Sequence, residues 1–390
     1  MSNPPQQAPN PYQQAAALQF KALLTNINEA DFWKTANAFD TMIDFLELDS
    51  TSANAVAEKV ANHYNSFNLD DQWYDDFGWW VVATHRAVGM SFFSNVDKAK
   101  FEGIRNECWA RFTNKAPKVG ELPDFKNYQP VVPGGVWNSG IRDPDEFMGI
   151  QNTVTNALYW IAAQCMGDKA EAKNEYIFLI EWLNMQPAEL SLWWNVAQGS
   201  PPPTLVRERV SQWVNPSLNT EEKKERDPKF QAKGVWTGDQ GLIIRGILDY
   251  LALNKPDTNT QEGLMARVKQ ILAGVQILLV DDKFALLNWN EDKGYDKNDY
   301  QWPPPVGALW NDYSTGKGVF WRNALYAWNN GGLELQDVME GKNFQLILTS
   351  SAVDAMKGLG FNSSIPNLTN DVAVLVAAAK MVQPKKPAAL

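Results

Sequence analysis

Four carboxylates fall within seven residues of the stretch Asn68-Leu69-Asp70-Asp71-Gln72-Trp73-Tyr74-Asp75-Asp76-Phe77-Gly78-Trp79-Trp80. Crowded carboxylates repel one another, and that repulsion raises at least one pKa. It is a way to hold one carboxyl protonated as a general acid beside an ionised partner. Asp is also an ordinary residue of helix N-caps and first turns, where it answers the helix dipole. A bare Asp-Asp before an apolar run is therefore satisfied by capping alone. Here Trp73, Tyr74, Trp79 and Trp80 flank the acids, and the flat faces of Trp and Tyr suit a sugar ring. A cap needs none of them.

The rest of the composition narrows the chemistry toward carboxylates. Cys108 and Cys165 stand 57 positions apart with no CxxC, and His63 and His85 are the only histidines among 390 residues. Zinc spacing and HExxH are both absent. A net charge of −10 argues against a general nucleic-acid binder, which needs a basic face. Ser314-Thr315-Gly316-Lys317-Gly318 lacks the first glycine of a P-loop and the Ser/Thr after its Lys. No apolar run approaches the roughly 20 residues of a membrane span. The expectation is an enzyme without metal or cofactor, no nucleic-acid partner, and a monomer acting on an oligo- or polysaccharide.

The elements that must position these residues are helical. Phe77, Trp80, Val81, Thr84 and Val88 follow the i, i+3, i+4, i+7, i+11 stripe of an amphipathic helix. Ile150, Val154, Leu158, Ile161, Ala162 and Cys165 do the same. Further helices are expected near 18–27, 30–48, 52–65, 97–113, 171–184, 204–214, 239–254, 260–280, 318–329, 333–357 and 370–382. That makes on the order of a dozen helices with no convincing strand. Long Pro/Gly/Asn-rich connections carry Trp137, Trp236, Trp289, Trp302 and Trp310, and aromatic-bearing long loops usually belong to functional surfaces. The Pro/Gln/Asn-rich start has neither the n-region nor the h-region of a signal peptide. We expect a short disordered lead over 1–12 and one all-α domain over 13–385, with the compartment left open.

The segment Trp73-Tyr74-Asp75-Asp76-Phe77-Gly78-Trp79-Trp80 resembles the catalytic segment of glycoside hydrolase family 76, the α-1,6-mannanases. The resemblance continues in order along the chain. Gly134-Gly135-Val136-Trp137-Asn138 is similar to the family's glycine-rich loop, and Asn152 and Asn156 to two asparagines four apart on the following helix. Trp236-Thr237-Gly238-Asp239-Gln240-Gly241 is similar to its Tyr-Asn-Gln-Gly segment, and Lys317-Gly318-Val319-Phe320-Trp321-Arg322-Asn323 to a late Phe-Lys-Gly-Ile-Phe-x-Arg stretch. Together these motifs span about residues 65–330.

What the resemblance implies is an (α/α)6 toroid, six inner helices sheathed by six outer ones, and retaining endo-hydrolysis of α-1,6-mannosidic bonds. Matched to the motif, Asp75 is the nucleophile and Asp76 the general acid/base. Retaining enzymes hold their carboxyls about 5–5.5 Å apart, the separation expected of Asp75 and Asp76. The substrate-binding set is Trp73, Tyr74, Trp79, Gly134, Gly135, Trp137, Asn152, Asn156, Trp236, Asp239, Gln240, Lys317 and Arg322. Within it, Trp73 and Trp137 are expected as sugar platforms, and Asn152 and Asn156 either line a cleft or serve as satisfied interior amides. Lys317 and Arg322 are expected to line or brace the site, and Trp80 to sit in the core.

The chain departs from the family pattern in carrying one Trp in the glycine-rich loop, Asp239 in place of an Asn, and Gln151 in place of a Lys. Those changes fall on the substrate side of the motif set. The alternatives are a transglycosidase, a non-catalytic glycan-binding relative, and a Mg²⁺-dependent diphosphate enzyme. The last rests on Asp70-Asp71-x-x-x-Asp75, which resembles the metal motif of helical terpene synthases.

Overall fold

Helix α1 covers Pro11–Asn26, and α2 follows at Phe32–Leu46. At the start of α2, Asp31 accepts from the Lys34 amide at 3.0 Å, an N-cap that satisfies one orphan donor of the first turn. Thirteen of the fifteen residues of α2 are buried, and a helix buried all round belongs inside a helical assembly. Helix α3 (Ala53–Tyr64) is different: it buries one stripe, Ala53, Val56, Ala57, Val60, Ala61 and Tyr64, at the spacing of a single face. The contrast between buried-all-round and one-striped helices alternates along the chain.

The computed structural model describes residues 10–115, 132, 134–138, 151–185, 204–208, 235–290, 314–359 and 364–382. Residues 1–9 of the expected lead, Trp302, Trp310 and most of 204–214 lie outside them. The further helices are α4 (Tyr74–Gly89), α5 (Asn95–Lys115), α6 (Thr153–Cys165), α7 (Lys169–Met185), α8 (Thr237–Asn254), α9 (Thr258–Leu278), α10 (Gly316–Asn330), α11 (Gly332–Glu340), α12 (Lys342–Lys357) and α13 (Ile365–Met381).

Six of them form a closed ring. Helix α2 packs on α4, α4 on α6, α6 on α8, α8 on α10, α10 on α13, and α13 returns to α2. Outside it α3, α5, α7 and α9 each lie against the inner helix that precedes them, α11 against α10, α12 against α13, and α1 against α13 and α2 where the ring closes. This is the (α/α)6 toroid. Where α4 crosses α6 the backbones approach so closely that a Cβ at Gly78 would meet Leu158 Cβ and Phe112 Cε1, each at 2.8 Å.

Three local expectations change. The single helix over 333–357 is two, because Gly341 adopts an extended conformation (φ −60°, ψ 148°) between α11 and α12. Residues 204–208 are not helical, since their backbone groups bond to side chains and ends of the inner helices. One short antiparallel pair exists, β1 (Val235–Trp236) with β2 (Trp289–Asn290), in the register Val235↔Asn290 and Trp236↔Trp289. Among the described residues no helix is long and apolar enough to cross a membrane.

Candidate active site

The ring has two ends, and one is built from helix starts. Helix α4 begins after Trp73, which is extended (φ −70°, ψ 159°) and offers no side-chain cap. Asp75 and Asp76 occupy the first turn, where the positive end of the helix dipole favours carboxylates. Asp76 is 8% exposed, Asp75 is half-buried, and Trp73 is 40% exposed. Successive helical residues point about 100° apart, so the two acids can approach one bound group from different directions.

The other pair of acids is set aside. Asp70 and Asp71 form a separate 3-10 turn, Leu69–Asp71. Asp70 is bonded to Arg111 on α5 at 2.8 Å, and Asp71 accepts from the Asn68 amide. Among the described residues no group of three His, Cys, Asp or Glu side chains is placed to hold a metal ion.

Short straps connect the starts of neighbouring inner helices. The first is 134–138. Its Asn138 carbonyl accepts from Tyr74 N at 3.0 Å, one residue from Asp75. Asn156 on α6 holds it from the other side, accepting from Val136 N at 2.8 Å and donating to Val136 O at 3.2 Å and Asn152 O at 2.8 Å. Gln151 Nε2 donates to Val132 O and Gly134 O. Gly134 and Gly135 take φ of +88° and +72°, which side-chain-bearing residues resist.

The second strap is 204–208. Gln240 Oε1 accepts from Val206 N at 2.8 Å, and Gln240 Nε2 donates back to Val206 O at 2.6 Å. Thr153 N donates to Glu208 O, and Asn152 Nδ2 donates to Glu208 Oε1 at 2.9 Å. Asn152 also caps α6, accepting from Thr155 N at 3.3 Å. The third strap centres on Asn288, whose carbonyl accepts from Thr237 N at the start of α8. Its side-chain oxygen accepts from Lys317 N at the start of α10 and from Asn370 Nδ2 on α13.

Aromatic side chains run across this end. Trp33 on α2 lies 6.1 Å from Trp79 on α4, and Trp79 meets Trp236 edge-on at 6.5 Å. Trp79, Trp137 and Trp236 are 4%, 2% and 5% exposed. Trp137 is thus a buried wall in this arrangement, whereas Trp73 presents an open face. Trp80 is fully buried and donates to Phe32 O at 3.0 Å.

The remaining motif residues divide between rim and axis. Asp239 is fully buried in the first turn of α8, beside Gln240. Lys317 sits at the rim, and its charge opposes the burial that raises Asp371 on α13 to about 7. Arg322 lies deeper, donating through Nε to Asp40 Oδ2 at 3.1 Å and through Nη1 to Thr41 Oγ1 at 2.9 Å and Asn37 O at 3.1 Å. Arg86 bonds to the same Asp40 and to Asp44. Burial works against the Asp40 charge, but the guanidiniums of Arg86 and Arg322 outweigh it and hold the carboxyl at about 2.

Asp75, Asp76, Trp73, Tyr74, the glycine strap, Asn152, Asn156, Trp236, Asp239, Gln240 and Lys317 therefore belong to one end of the ring, and Arg322 braces its axis. Sequence reasoning did not find Glu208, Asn288 or Asn370. Glu208 lies in the stretch 204–214, whose pattern suggests a helix, and no local pattern marks an amide that works across 82 positions, as Asn288 does with Asn370.

No protein-family model and no curated protein sequence matches the chain. Solved structures do. The GH76A α-1,6-mannanase from Salegentibacter sp. HEL1_6 aligns at TM-score 0.58 and 12% identity, over 95% of this chain and 99% of that one. An inactive form of that enzyme, with two adjacent aspartates replaced by asparagine, has been solved with α-1,6-mannotriose (TM-score 0.59, 14% identity, 95% and 99% covered). The Lin0763 protein of Listeria innocua aligns at 0.57 and 16%, over 94% and 97%. Dfg5 from Chaetomium thermophilum, in complex with glucosamine, aligns at 0.53 and 14%, over 90% and 80%. The chain thus has the fold of the family 76 α-1,6-mannanases, the family its motifs resemble.

Proposed function

We propose that the protein is a retaining glycoside hydrolase acting on α-mannan-type glycans, with residues 13–385 as its single catalytic domain. The observation that carries this reading is the placement of Asp75 and Asp76 in the first turn of an inner helix, at the end of the ring where Trp73, Trp79 and Trp236 gather. A second support is the mannanase of the same fold whose inactive form lacks two adjacent aspartates.

In this reading the Asp75 carboxylate attacks the anomeric carbon while Asp76 donates its proton to the departing glycosidic oxygen. A covalent glycosyl ester on Asp75 results. Asp76, now ionised, takes a proton from water, and that water opens the ester with net retention. Trp73 offers its exposed face to a sugar ring, Tyr74 and Trp79 border the acids, and Trp137, Trp236, Gly134 and Gly135 shape the walls. Asn152, Asn156, Gln240 and Lys317 hold the straps in place, Asp239 adds a buried carboxylate, and Arg322 braces the floor.

The test is incubation of the wild type, Asp75→Asn and Asp76→Asn with α-1,6-mannan and other α-linked glycans, following the product anomer by NMR. The expected result is an α-anomer first product and a loss of about 10²–10⁴-fold for Asp76→Asn. An initial β-anomer overturns the retaining mechanism. Glycan binding without turnover, unchanged in Asp75→Asn, favours the non-catalytic glycan-binding alternative.

A further inference from the structure

The acids have a further aromatic neighbour on the α2 side. Trp33 stands in the first turn of α2, just after the Asp31 cap, and so at the end of the ring where the inner helices start. Asp75 and Trp79 lie four apart on α4 and share a face of that helix. Trp33 packs on Trp79 at 6.1 Å, which leaves one side chain between it and the acidic turn.

The Trp33 ring is fixed in place and only half-buried. Trp79 meets it at an interplanar angle of 33°, and Lys34 Nζ lies 5.2 Å from its centroid while bonded to Asp31 at 2.6 Å. Indole N–H groups removed from water usually find an acceptor. Those of Trp80, Trp160 and Trp182 do so, donating to Phe32 O, Ala172 O and Thr153 Oγ1. Among the described residues the N–H groups of Trp33 and Trp79 have no such acceptor. Neither nitrogen is sealed off: of the unpaired indole nitrogens there, only that of Trp321 is closed to solvent. Two accessible donors beside two aromatic rings suit a sugar, which offers hydroxyl oxygens at its edge and C–H bonds on its faces.

Trp33 and Trp73 flank the acids from different sides. Trp73, 40% exposed, opens where the 134–138 strap reaches Tyr74 N from α6. Trp33 belongs to α2, and α2 and α6 are the two ring neighbours of α4. A linear chain lying across Asp75 and Asp76 thus has one tryptophan before the cleaved bond and another beyond it. We propose, on the glycoside hydrolase reading, that Trp33 is a specificity residue. It binds a sugar unit on the α2 side of the cleaved bond, so that long α-mannan chains are preferred to short ones.

The test is steady-state kinetics of the full chain on α-1,6-mannotriose and α-1,6-mannohexaose. Wild-type kcat/KM should rise at least about tenfold from the triose to the hexaose. Trp33→Ala should raise KM on the hexaose about tenfold with kcat held, the pattern of a contact made equally in ground and transition states. On the triose its KM should rise far less. A residue that only packs against Trp79 would instead lower kcat on both lengths alike. Trp33→Phe keeps a ring against Trp79 without the N–H and should give an intermediate KM; it replaces Trp33→Ala if that variant does not fold. If the wild type cleaves neither oligosaccharide, the hydrolase reading falls and this proposal with it. If the wild type cleaves both equally well, or the variant loses as much on the triose as on the hexaose, or loses nothing on either, this proposal alone is overturned.

Discussion

Asn156 holds Val136 through both of that residue's backbone groups: its Oδ1 accepts from Val136 N at 2.8 Å and its Nδ2 donates to Val136 O at 3.2 Å. Two residues further along the strap, Asn138 O accepts from Tyr74 N, beside Asp75. A side chain on α6 thereby fixes the backbone against which the acidic turn of α4 is set. Asn156→Ala removes both bonds from the backbone of a buried residue, at about 1–3 kcal/mol of stability. It should also lower kcat on α-1,6-mannan by up to about 10²-fold, through misplacement rather than loss of a reacting group. Thermal unfolding and steady-state kinetics, measured together, separate the two effects; an unchanged kcat would detach the strap from catalysis.

The two glycines of that strap should respond unequally. Both have positive φ, and an alanine there costs about 1–2 kcal/mol. At Gly134 the added Cβ meets only Phe178 Cβ at 3.8 Å, an ordinary contact. At Gly135 it falls 2.6 Å from Asn156 Oδ1 and 2.8 Å from the Phe178 ring, adding about 1–3 kcal/mol of overpacking. Urea unfolding should therefore rank Gly135→Ala well below Gly134→Ala, and equal midpoints would contradict this geometry.

Asp40 and Arg322 are 3% and 4% exposed, and they join α2 to α10 across the ring. Removing one partner of a buried pair costs about 3–5 kcal/mol, so Arg322→Met should be severely destabilising. Pairing it with Asp40→Asn should recover part of the loss. A double-mutant cycle by chemical denaturation should return a coupling of about 1–3 kcal/mol. Strict additivity would show that Arg86 alone satisfies Asp40.

Two titrating groups should pull stability in opposite directions over the same pH window. Burial lowers His85 from 6.5 to about 4, aided by Arg245 and Arg105. Its contribution is complete above pH 6.5 and is lost as pH falls toward 4, because only the unfolded chain takes up the proton there. Burial raises Asp371 from 3.8 to about 7, opposed by Lys317. Its contribution is complete below pH 3.8 and is lost as pH rises toward 7. Between about pH 4 and 6.5 the two slopes cancel, each reaching about 1.4 kcal/mol per pH unit at most. Asp371→Asn should make stability rise with pH across that window, and His85→Gln should make it fall. Urea unfolding at four pH values checks both signs.

The helices and the acidic turn were legible in the sequence because their signals are local. The Phe77-Trp80-Thr84 stripe marks α4, and Trp80 is buried as that stripe requires. Asp75 and Asp76 fall in a first turn, as their position before the stripe indicates. Asn152 and Asn156 could be read either as cleft lining or as interior amides, and they prove to be satisfied amides that secure straps. Residues 204–208 carry a helix-like pattern and yet are not helical, because their conformation is set by Gln240 and Thr153, which lie 34 and 54 positions away from the groups they bind. The place of Trp137 in a loop suggests a sugar platform, yet its side chain is buried. Loop composition signals that aromatics will be used, but which face they show depends on contacts made elsewhere in the chain.

The alternation of inner and outer helices has a consequence for how the molecule is assembled. Each strap waits for a helix that comes later in the chain: 134–138 for Asn156, 204–208 for Gln240, Asn288 for Lys317 and Asn370. Synthesis from the N-terminus can thus extend an arc one helix pair at a time. The arc becomes a ring only when α13, nearly all of it buried, docks between α10 and α2 and under α1. Until then both ends of the arc expose apolar flanks with no partner. A chain cut before Ile365 is expected to be recovered as aggregate rather than as a smaller folded protein, and separate expression of residues 1–359 followed by sedimentation tests that directly.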